Sequence, residues 1–94
     1  MTSDLSFTQA LDLAREHAAR GLETYPFDAI YRTTLDKVRL IDAVLAGGGS
    51  LAEVPRDPDL GLMAAKELGN DEAAFAHALH VIQYEIEHSA PSPS

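Results

Sequence analysis

The sequence predicts an all-α fold, a small four-helix bundle-like domain with three longer helices and one short helix. Apolar residues recur every three or four positions through four segments, which is the spacing of amphipathic helices. Glycines, prolines and capping residues separate these segments, and nothing in the sequence suggests a pair of strands. Because 94 residues support one modest core, we assign residues 1–88 to a single helical domain. We expect residues 89–94, which are all Ser, Ala or Pro, to form a disordered tail.

The first helix is predicted to begin after Ser6, because Gln9 lies three residues later and completes a capping box. It ends before Pro26, since the residue that precedes a proline disfavours helical geometry. Its predicted apolar stripe consists of Phe7, Ala10, Leu11, Ala14, Ala18, Leu22 and Tyr25.

The second helix is predicted to open at Pro26, which lacks the N–H that a first helical turn leaves unpaired. It ends at Gly47, where we expect the left-handed conformation typical of the residue that follows a helix. Residues 48–56 then form a mobile surface loop with Leu51 and Val54 as anchors. The predicted stripe of this helix is Phe27, Ile30, Tyr31, Thr34, Val38, Ile41 and Leu45.

The third, short helix is predicted to start at Asp57-Pro58, as cap and first position, and to end at Gly69. Asn70 is the predicted cap of the fourth helix, where Asp71 and Glu72 complement the positive end of the helix dipole. The apolar positions of the third helix are Leu60, Met63, Ala64 and Leu68, and those of the fourth are Phe75, Ala78, Leu79, Ile82 and Ile86.

The charge balance excludes two classes of partner. Fifteen carboxylates and seven Lys and Arg residues give a net charge of −8, and residues 70–94 contain no Lys or Arg. Binding to nucleic acids or to an anionic membrane surface needs surface cations, so we expect neither partner. The run from Leu60 to Leu79 superficially resembles a helix-turn-helix, but its second helix would bring Asp71 and Glu72 to the phosphates.

Composition and motifs also argue against catalysis. The chain contains no cysteine, which excludes disulfides, thiolate metal ligands and thiol nucleophiles. Ser, His and Asp residues form no recognisable catalytic framework, and Gly47-Gly48-Gly49 lacks the Lys-Ser/Thr of a phosphate-binding loop. No apolar run is long enough to cross a bilayer, and the first residues lack the basic region of a signal peptide. We therefore expect a cytoplasmic protein that is not an enzyme and binds no cofactor.

Three histidines share one side of the predicted fourth helix. His77, His80 and His88 accompany Tyr84 there, and imidazoles at such spacing can hold zinc with Glu85 or a neighbouring carboxylate. The HExxH pattern of helical zinc sites is absent, however, so we predict no metal. A polar face that contacts a partner is the preferred interpretation, and a small metal-dependent sensor is the alternative.

In three of its segments the chain resembles a known family. These segments are Tyr25-Pro26 at the end of the first helix, the Asp36-Lys37 pair, and the run from Leu60 to Leu68 with Lys66-Glu67 near its end. They resemble the small helical immunity proteins that neutralise a type VI secretion toxin, an NAD(P)+ glycohydrolase. The resemblance extends from Ser6 to Glu87, and its most specific part is Leu60, Gly61, Ala64 or Ala65, Lys66 and Glu67.

This resemblance implies a non-enzymatic protein that binds a cognate toxin domain and obstructs its NAD(P)+ site. A site for a dinucleotide needs a cationic cleft, for which an acidic protein can compete. The resemblance marks Lys66 and Glu67 as toxin-binding residues, although the pair alone is equally compatible with a solvated helix edge. Charge and exposure add Asp59, Tyr84, Glu85 and Glu87. The candidate aromatic anchors are whichever of Tyr31, Tyr84 and Phe27 are not part of the core.

Two alternatives stay open. The chain can be a regulatory module, such as an adaptor that forms a homodimer through an apolar face. As an immunity protein it can also neutralise a different NAD-using toxin, such as one that resembles an ADP-ribosyltransferase.

Overall fold

Four α-helices form the domain in a computed structural model that describes residues 5–89. They are α1 (Phe7–Thr24), α2 (Ala29–Ala46), α3 (Leu60–Glu67) and α4 (Ala73–His88). Two short 3-10 turns, Leu51–Glu53 and Asn70–Glu72, precede α3 and α4. Residues 5–89 contain no strand. The predicted all-α fold with three longer helices and one short helix is therefore confirmed.

Local capping determines where α1 begins. The Ser6 hydroxyl accepts a hydrogen bond from the backbone N–H of Gln9 at 3.1 Å, and the Gln9 side chain accepts from the Ser6 N–H at 3.0 Å. This reciprocal pair is the capping box that the sequence predicts. The helix ends at Thr24, one residue before Tyr25, as expected from Pro26.

The predicted starts of the other three helices were wrong. Pro26 lies in a turn, and α2 begins at Ala29 because the Asp28 carboxylate accepts from the N–H groups of Ile30 and Tyr31. The cap of α3 is Asp59 and not Asp57, since the carboxylate of Asp59 accepts from the N–H of Leu62 at 2.9 Å. Each of these caps satisfies N–H groups that the first turn of a helix leaves unpaired.

The predicted cap of α4 was also wrong, because Asn70 belongs to a 3-10 turn and α4 begins at Ala73. After α2, the left-handed glycine is Gly48, with φ of 82°, whereas Gly47 has φ of −84°. The loop that follows contains the turn Leu51–Glu53, which was not predicted, and Val54 lies buried as an anchor. Of the predicted tail, residues 90–94 lie outside the described residues, and Ser89 is the C-cap of α4.

The core lies where α1 packs against both α2 and α4, and α3 packs on α4. At the start of α3, the N–H of Leu60 donates to Gln83 of α4, and Gly61 lies against His80 of α4. Tyr31 is only 8% exposed, so it belongs to the core, as its place in the predicted stripe of the second helix indicates, and it is not available as a surface anchor. The buried apolar residues are Ala10, Leu11, Ala14, Ala18, Ile30, Tyr31, Val38, Ile41, Val54, Leu60, Ala64, Phe75, Ala78, Leu79, Ile82 and Ile86.

Candidate functional site

A buried lysine fixes the chain segment that leads into α3. Lys37 on α2 is 5% exposed, and its Nζ donates to the carbonyl oxygens of Pro58 at 2.7 Å and Arg56 at 3.0 Å. Burial lowers the pKa of Lys37, because the charged ammonium loses its hydration, and the nearby charges of Asp57, Asp59 and Glu87 oppose that shift. The two carbonyl oxygens replace the water molecules that the ammonium group loses on burial. These hydrogen bonds hold the loop against α2.

A buried glutamine on α4 holds the same segment from the other side. Gln83 is 4% exposed, and its Nε2 donates to the carbonyl of Arg56 at 3.2 Å and to Oε2 of Glu87 at 3.1 Å. Its Oε1 accepts from the N–H of Leu60 at 3.1 Å. The Arg56 carbonyl thus receives hydrogen bonds from both α2 and α4, and the entry to α3 is fixed relative to the core.

Between α3 and α4 a surface groove opens with a volume of about 400 Å³, which we call the α3–α4 groove. Its exposed large hydrophobic side chains are Tyr84 (58%) and Leu62 (54%). Gly61 allows the close approach of the two helices, because a Cβ there would lie 3.0 Å from Nδ1 of His80. The groove is lined by Asp59, Gly61, Leu62, Ala65, His80, Gln83, Tyr84 and Glu87.

The two carboxylates of the α3–α4 groove are held by internal hydrogen bonds. Oδ1 of Asp59 accepts from Leu62, and Oε2 of Glu87 accepts from Gln83. Neither carboxylate forms an ion pair with any residue between 5 and 89. The groove therefore presents two positioned negative charges beside an aromatic ring.

The structure places the six predicted site residues in three groups. Asp59, Tyr84 and Glu87 come together in the α3–α4 groove. Glu85 is half-buried and lies on an adjacent surface of α4 with His77 and Val81. Lys66 and Glu67 are exposed at the far end of α3, about 10 Å along the helix axis from Asp59.

Sequence reasoning missed Leu62, Lys37 and Gln83. The polar pair left a signal, because each member lies within the apolar stripe of its helix: Lys37 three residues after Thr34, and Gln83 four residues after Leu79. A polar residue on a buried stripe indicates a hydrogen-bonded role inside the fold. No comparable signal identified Leu62, which is apolar and lies on the exposed side of α3.

The histidines do not assemble into a metal site. Within residues 5–89, no group of three His, Asp or Glu side chains is placed to hold a metal ion. The His88 ring instead stacks on the Tyr84 ring, with 3.8 Å between centroids, and its Nδ1 lies 2.8 Å from the Tyr84 carbonyl oxygen. His80 lies at the α3–α4 groove, and His77 lies on the surface beside Glu85.

A second polar cluster joins α1 and α2 to the start of α4. Glu72 accepts from the Tyr31 hydroxyl, and Nε2 of His17 lies 2.8 Å from the same carboxylate oxygen. The hydrogen bond from Tyr31 lowers the pKa of Glu72, with His17 adding to the effect, and it raises the pKa of Tyr31. Glu72 thus joins three parts of the fold, a role that sequence reasoning missed, and it also directly precedes α4, where the sequence predicts that it complements the helix dipole.

Comparison with known proteins adds the family of the chain. No curated protein and no solved structure gives a significant match. None of the helices within residues 5–89 has the length and apolar character that a membrane span requires. The sequence profile described as Tsi6 matches residues 2–88, which is nearly the whole chain. The protein therefore belongs to the Tsi6 family, a family of type VI secretion immunity proteins.

Proposed function

We propose that this protein binds a cognate secreted toxin domain that hydrolyses or otherwise consumes NAD(P)+, and that binding blocks the toxin's active site. Membership of the Tsi6 family supports a toxin as the partner. The charge distribution carries the rest of the proposal. From Asp57 to the last residue, seven carboxylates accompany a single cation, Lys66.

The physical argument starts from the requirements of the toxin. An enzyme that binds a dinucleotide pyrophosphate concentrates positive potential in its cleft. A surface that is almost entirely anionic is attracted to that potential, which speeds association and orients the partners. Affinity then depends on buried apolar and aromatic contacts, which the exposed Leu62 and Tyr84 can provide.

We assign the contact surface to the exposed sides of α3 and α4. Asp59, Tyr84 and Glu87 form its centre, because they line one groove. Glu85 extends this surface along α4. Lys66 and Glu67 form a second contact region at the end of α3, where both side chains are exposed.

Inhibition requires no chemistry from this chain. We propose that the protein acts in the cytoplasm of the toxin-producing cell by occupying space and charge at the toxin's NAD(P)+ site. The charged and amide groups in the interior support this view, since the buried Lys37 and Gln83 and the half-buried Glu72 are all engaged in internal hydrogen bonds. Through these hydrogen bonds the three side chains stabilise the fold.

Co-expression with the toxin domain encoded beside this gene tests the proposal. We expect the protein to restore survival and to keep cellular NAD(P)+ at the level of cells without toxin. Survival no better than with an empty vector would overturn the immunity function. Killing by the toxin alone without loss of NAD(P)+ would overturn the NAD(P)+ specificity, and hydrolysis of NAD(P)+ by the purified protein would overturn the non-enzymatic mechanism.

Substitutions at the end of α3 test the second contact region. We expect Lys66→Ala and Glu67→Gln to weaken binding to the purified toxin domain, measured by isothermal titration calorimetry. Arg39→Ala on α2 and Glu23→Gln on α1 are matched controls, because both side chains are exposed and belong to other helices. Light scattering on the same samples tests the alternative function: a stable homodimer that does not bind the toxin would favour a dimeric adaptor.

A further inference from the structure

We propose that the α3–α4 groove receives an arginine side chain of the partner protein. The proposal rests on the proposed function, because it takes the toxin domain as the occupant. It adds the chemistry that the groove recognises: a guanidinium group between two carboxylates and a tyrosine ring.

The carboxylates are ready for a cation without rearrangement. Asp59 and Glu87 each use one oxygen in an internal hydrogen bond, at 2.9 Å and 3.1 Å, and these bonds fix the orientation of the side chains. Their second oxygens have no hydrogen-bond donor among residues 5–89. Holding the acceptors in place before binding reduces the entropy that a complex would otherwise lose.

No Lys or Arg among residues 5–89 forms an ion pair with Asp59 or Glu87. The charge of Lys37 interacts with both carboxylates, but its ammonium group is buried and donates to the Arg56 and Pro58 carbonyls. No Lys or Arg lines the α3–α4 groove. The negative charge of the groove is therefore available to a cation from outside the chain.

The ring beside the carboxylates favours arginine over lysine. The Tyr84 side chain is 58% exposed, and its stacking on His88 holds the ring in place. A guanidinium is planar, stacks on aromatic rings and offers five N–H donors, so it can contact the ring and both carboxylates together. An ammonium group is a compact, strongly hydrated charge that lacks the planar fork and stacks less well.

The exposed Leu62 on the opposite wall sets a further requirement on the partner. Leu62 is 54% exposed, so an apolar side chain of the partner that covers it makes the free energy of binding more favourable. The partner segment that fits this groove therefore carries an arginine next to an apolar residue. An acidic or purely polar segment would leave the two carboxylates and Leu62 without complementary contacts.

Two substitutions remove the charges and keep the internal hydrogen bonds. Asn caps a helix as well as Asp, so Asp59→Asn preserves the start of α3. Glu87→Gln retains an oxygen that accepts from Gln83. Glu23→Gln, introduced on the exposed surface of α1, is the matched control for loss of one negative charge. Circular dichroism and thermal unfolding of each variant confirm that the fold is intact.

Double-mutant cycles with the purified toxin domain test the proposal. We expect the Asp59→Asn/Glu87→Gln variant to bind the toxin at least about tenfold more weakly and Tyr84→Leu to add to that loss. Each arginine of the toxin is replaced by alanine in turn, and one of them should lose its effect on affinity in the double variant. Glu23→Gln should keep every arginine effect.

The possible results distinguish this proposal from the proposed function. A complex that forms with wild-type affinity in the double variant, or that shows no coupled arginine, overturns the arginine site and leaves toxin binding intact. Coupling to a toxin lysine instead of an arginine also overturns it. Failure of the wild-type protein to bind the toxin overturns both. A homodimer that Asp59→Asn/Glu87→Gln dissociates assigns the groove to a second copy and overturns the proposal.

Discussion

Tyr31 donates its hydroxyl hydrogen to Oε2 of Glu72 over 2.5 Å, although 41 residues separate the two in sequence. His17 contacts the same oxygen and stacks on Phe75, with 4.3 Å between ring centroids. One carboxylate therefore connects α1, α2 and the turn that leads into α4. Because none of these residues lines the α3–α4 groove, they can be altered to test stability separately from binding.

Replacement of Glu72 measures the value of this connection. We expect Glu72→Gln to lower the free energy of unfolding by about 1–2 kcal/mol, because hydrogen bonds to a charged acceptor become bonds to a neutral amide. Chemical denaturation at neutral pH provides the measurement. Asp71→Asn is the control. Asp71 is an exposed neighbour of Glu72, so loss of its charge should change the free energy of unfolding only slightly. Equal effects of the two substitutions would contradict the prediction.

Acid should remove the same contribution. The pKa of Glu72 is lowered from its ordinary value of 4.5, so the folded protein binds this proton more weakly than the unfolded chain. The stabilisation is complete above about pH 4.5 and disappears as the pH falls through the lower pKa of the folded state. Chemical denaturation of the wild-type protein and of Glu72→Gln at several pH values from 7 to 3 measures both free energies of unfolding. The difference between them should become smaller as the pH falls. A constant difference would contradict this prediction.

Gly21 allows the Tyr31 ring to pack against α1. A Cβ at this position would overlap the Tyr31 ring, which is held by its bond to Glu72. Overpacking destabilises a fold by about 1–3 kcal/mol. This cost is larger than the 0.5–1 kcal/mol or so by which alanine stabilises a helix relative to glycine. We expect Gly21→Ala to be destabilising by thermal unfolding. Gly47→Ala should be nearly neutral, because its Cβ would meet no atom closer than 3.4 Å.

Thr34 offers a stabilising substitution. Its side chain is fully buried, and its hydroxyl has no hydrogen-bond partner among the described residues. Burial of an unpaired hydroxyl costs free energy, so Thr34→Val should raise the free energy of unfolding by about 1 kcal/mol. Denaturant titration measures the change. Thr33→Val, at a half-buried position, serves as control. A destabilised Thr34→Val protein would show that the hydroxyl has a partner in solution.

Phe27 separates binding from stability. The side chain is 97% exposed in the turn between α1 and α2, so it contributes almost nothing to the core. We expect Phe27→Ser to leave the free energy of unfolding within about 0.5 kcal/mol of the wild type. As a candidate anchor, Phe27 should nonetheless strengthen toxin binding. Calorimetry with the toxin domain decides this: unchanged affinity of Phe27→Ser would remove the residue from the interface.

The parts of the fold that depend on local sequence could be predicted. The capping box of Ser6 and Gln9 lies within one turn, and the buried stripe of α4 follows from spacing alone. The starts of α3 and α4 could not be predicted in this way. Asp57 and Asp59 are equally good caps by residue type, and the choice depends on Gln83, which accepts from the Leu60 N–H from 23 residues away.

For the candidate site, the sequence indicated several of the residues but not how they are arranged in the fold. Charge and exposure selected Asp59, Tyr84 and Glu87, which share a groove in the structure. The separation of Lys66 and Glu67 from this groove depends on the orientation of α3 against α4, which helical periodicity does not encode. The missing information is tertiary: which side of a short helix its neighbour covers.

The way in which the segment before α3 is held has an evolutionary consequence. Lys37 and Gln83 both recognise the carbonyl oxygen of residue 56 and make no hydrogen bond to its side chain. Any amino acid at that position can supply the same acceptor. Natural variation or laboratory selection can therefore diversify residue 56 while the backbone of this segment keeps its shape.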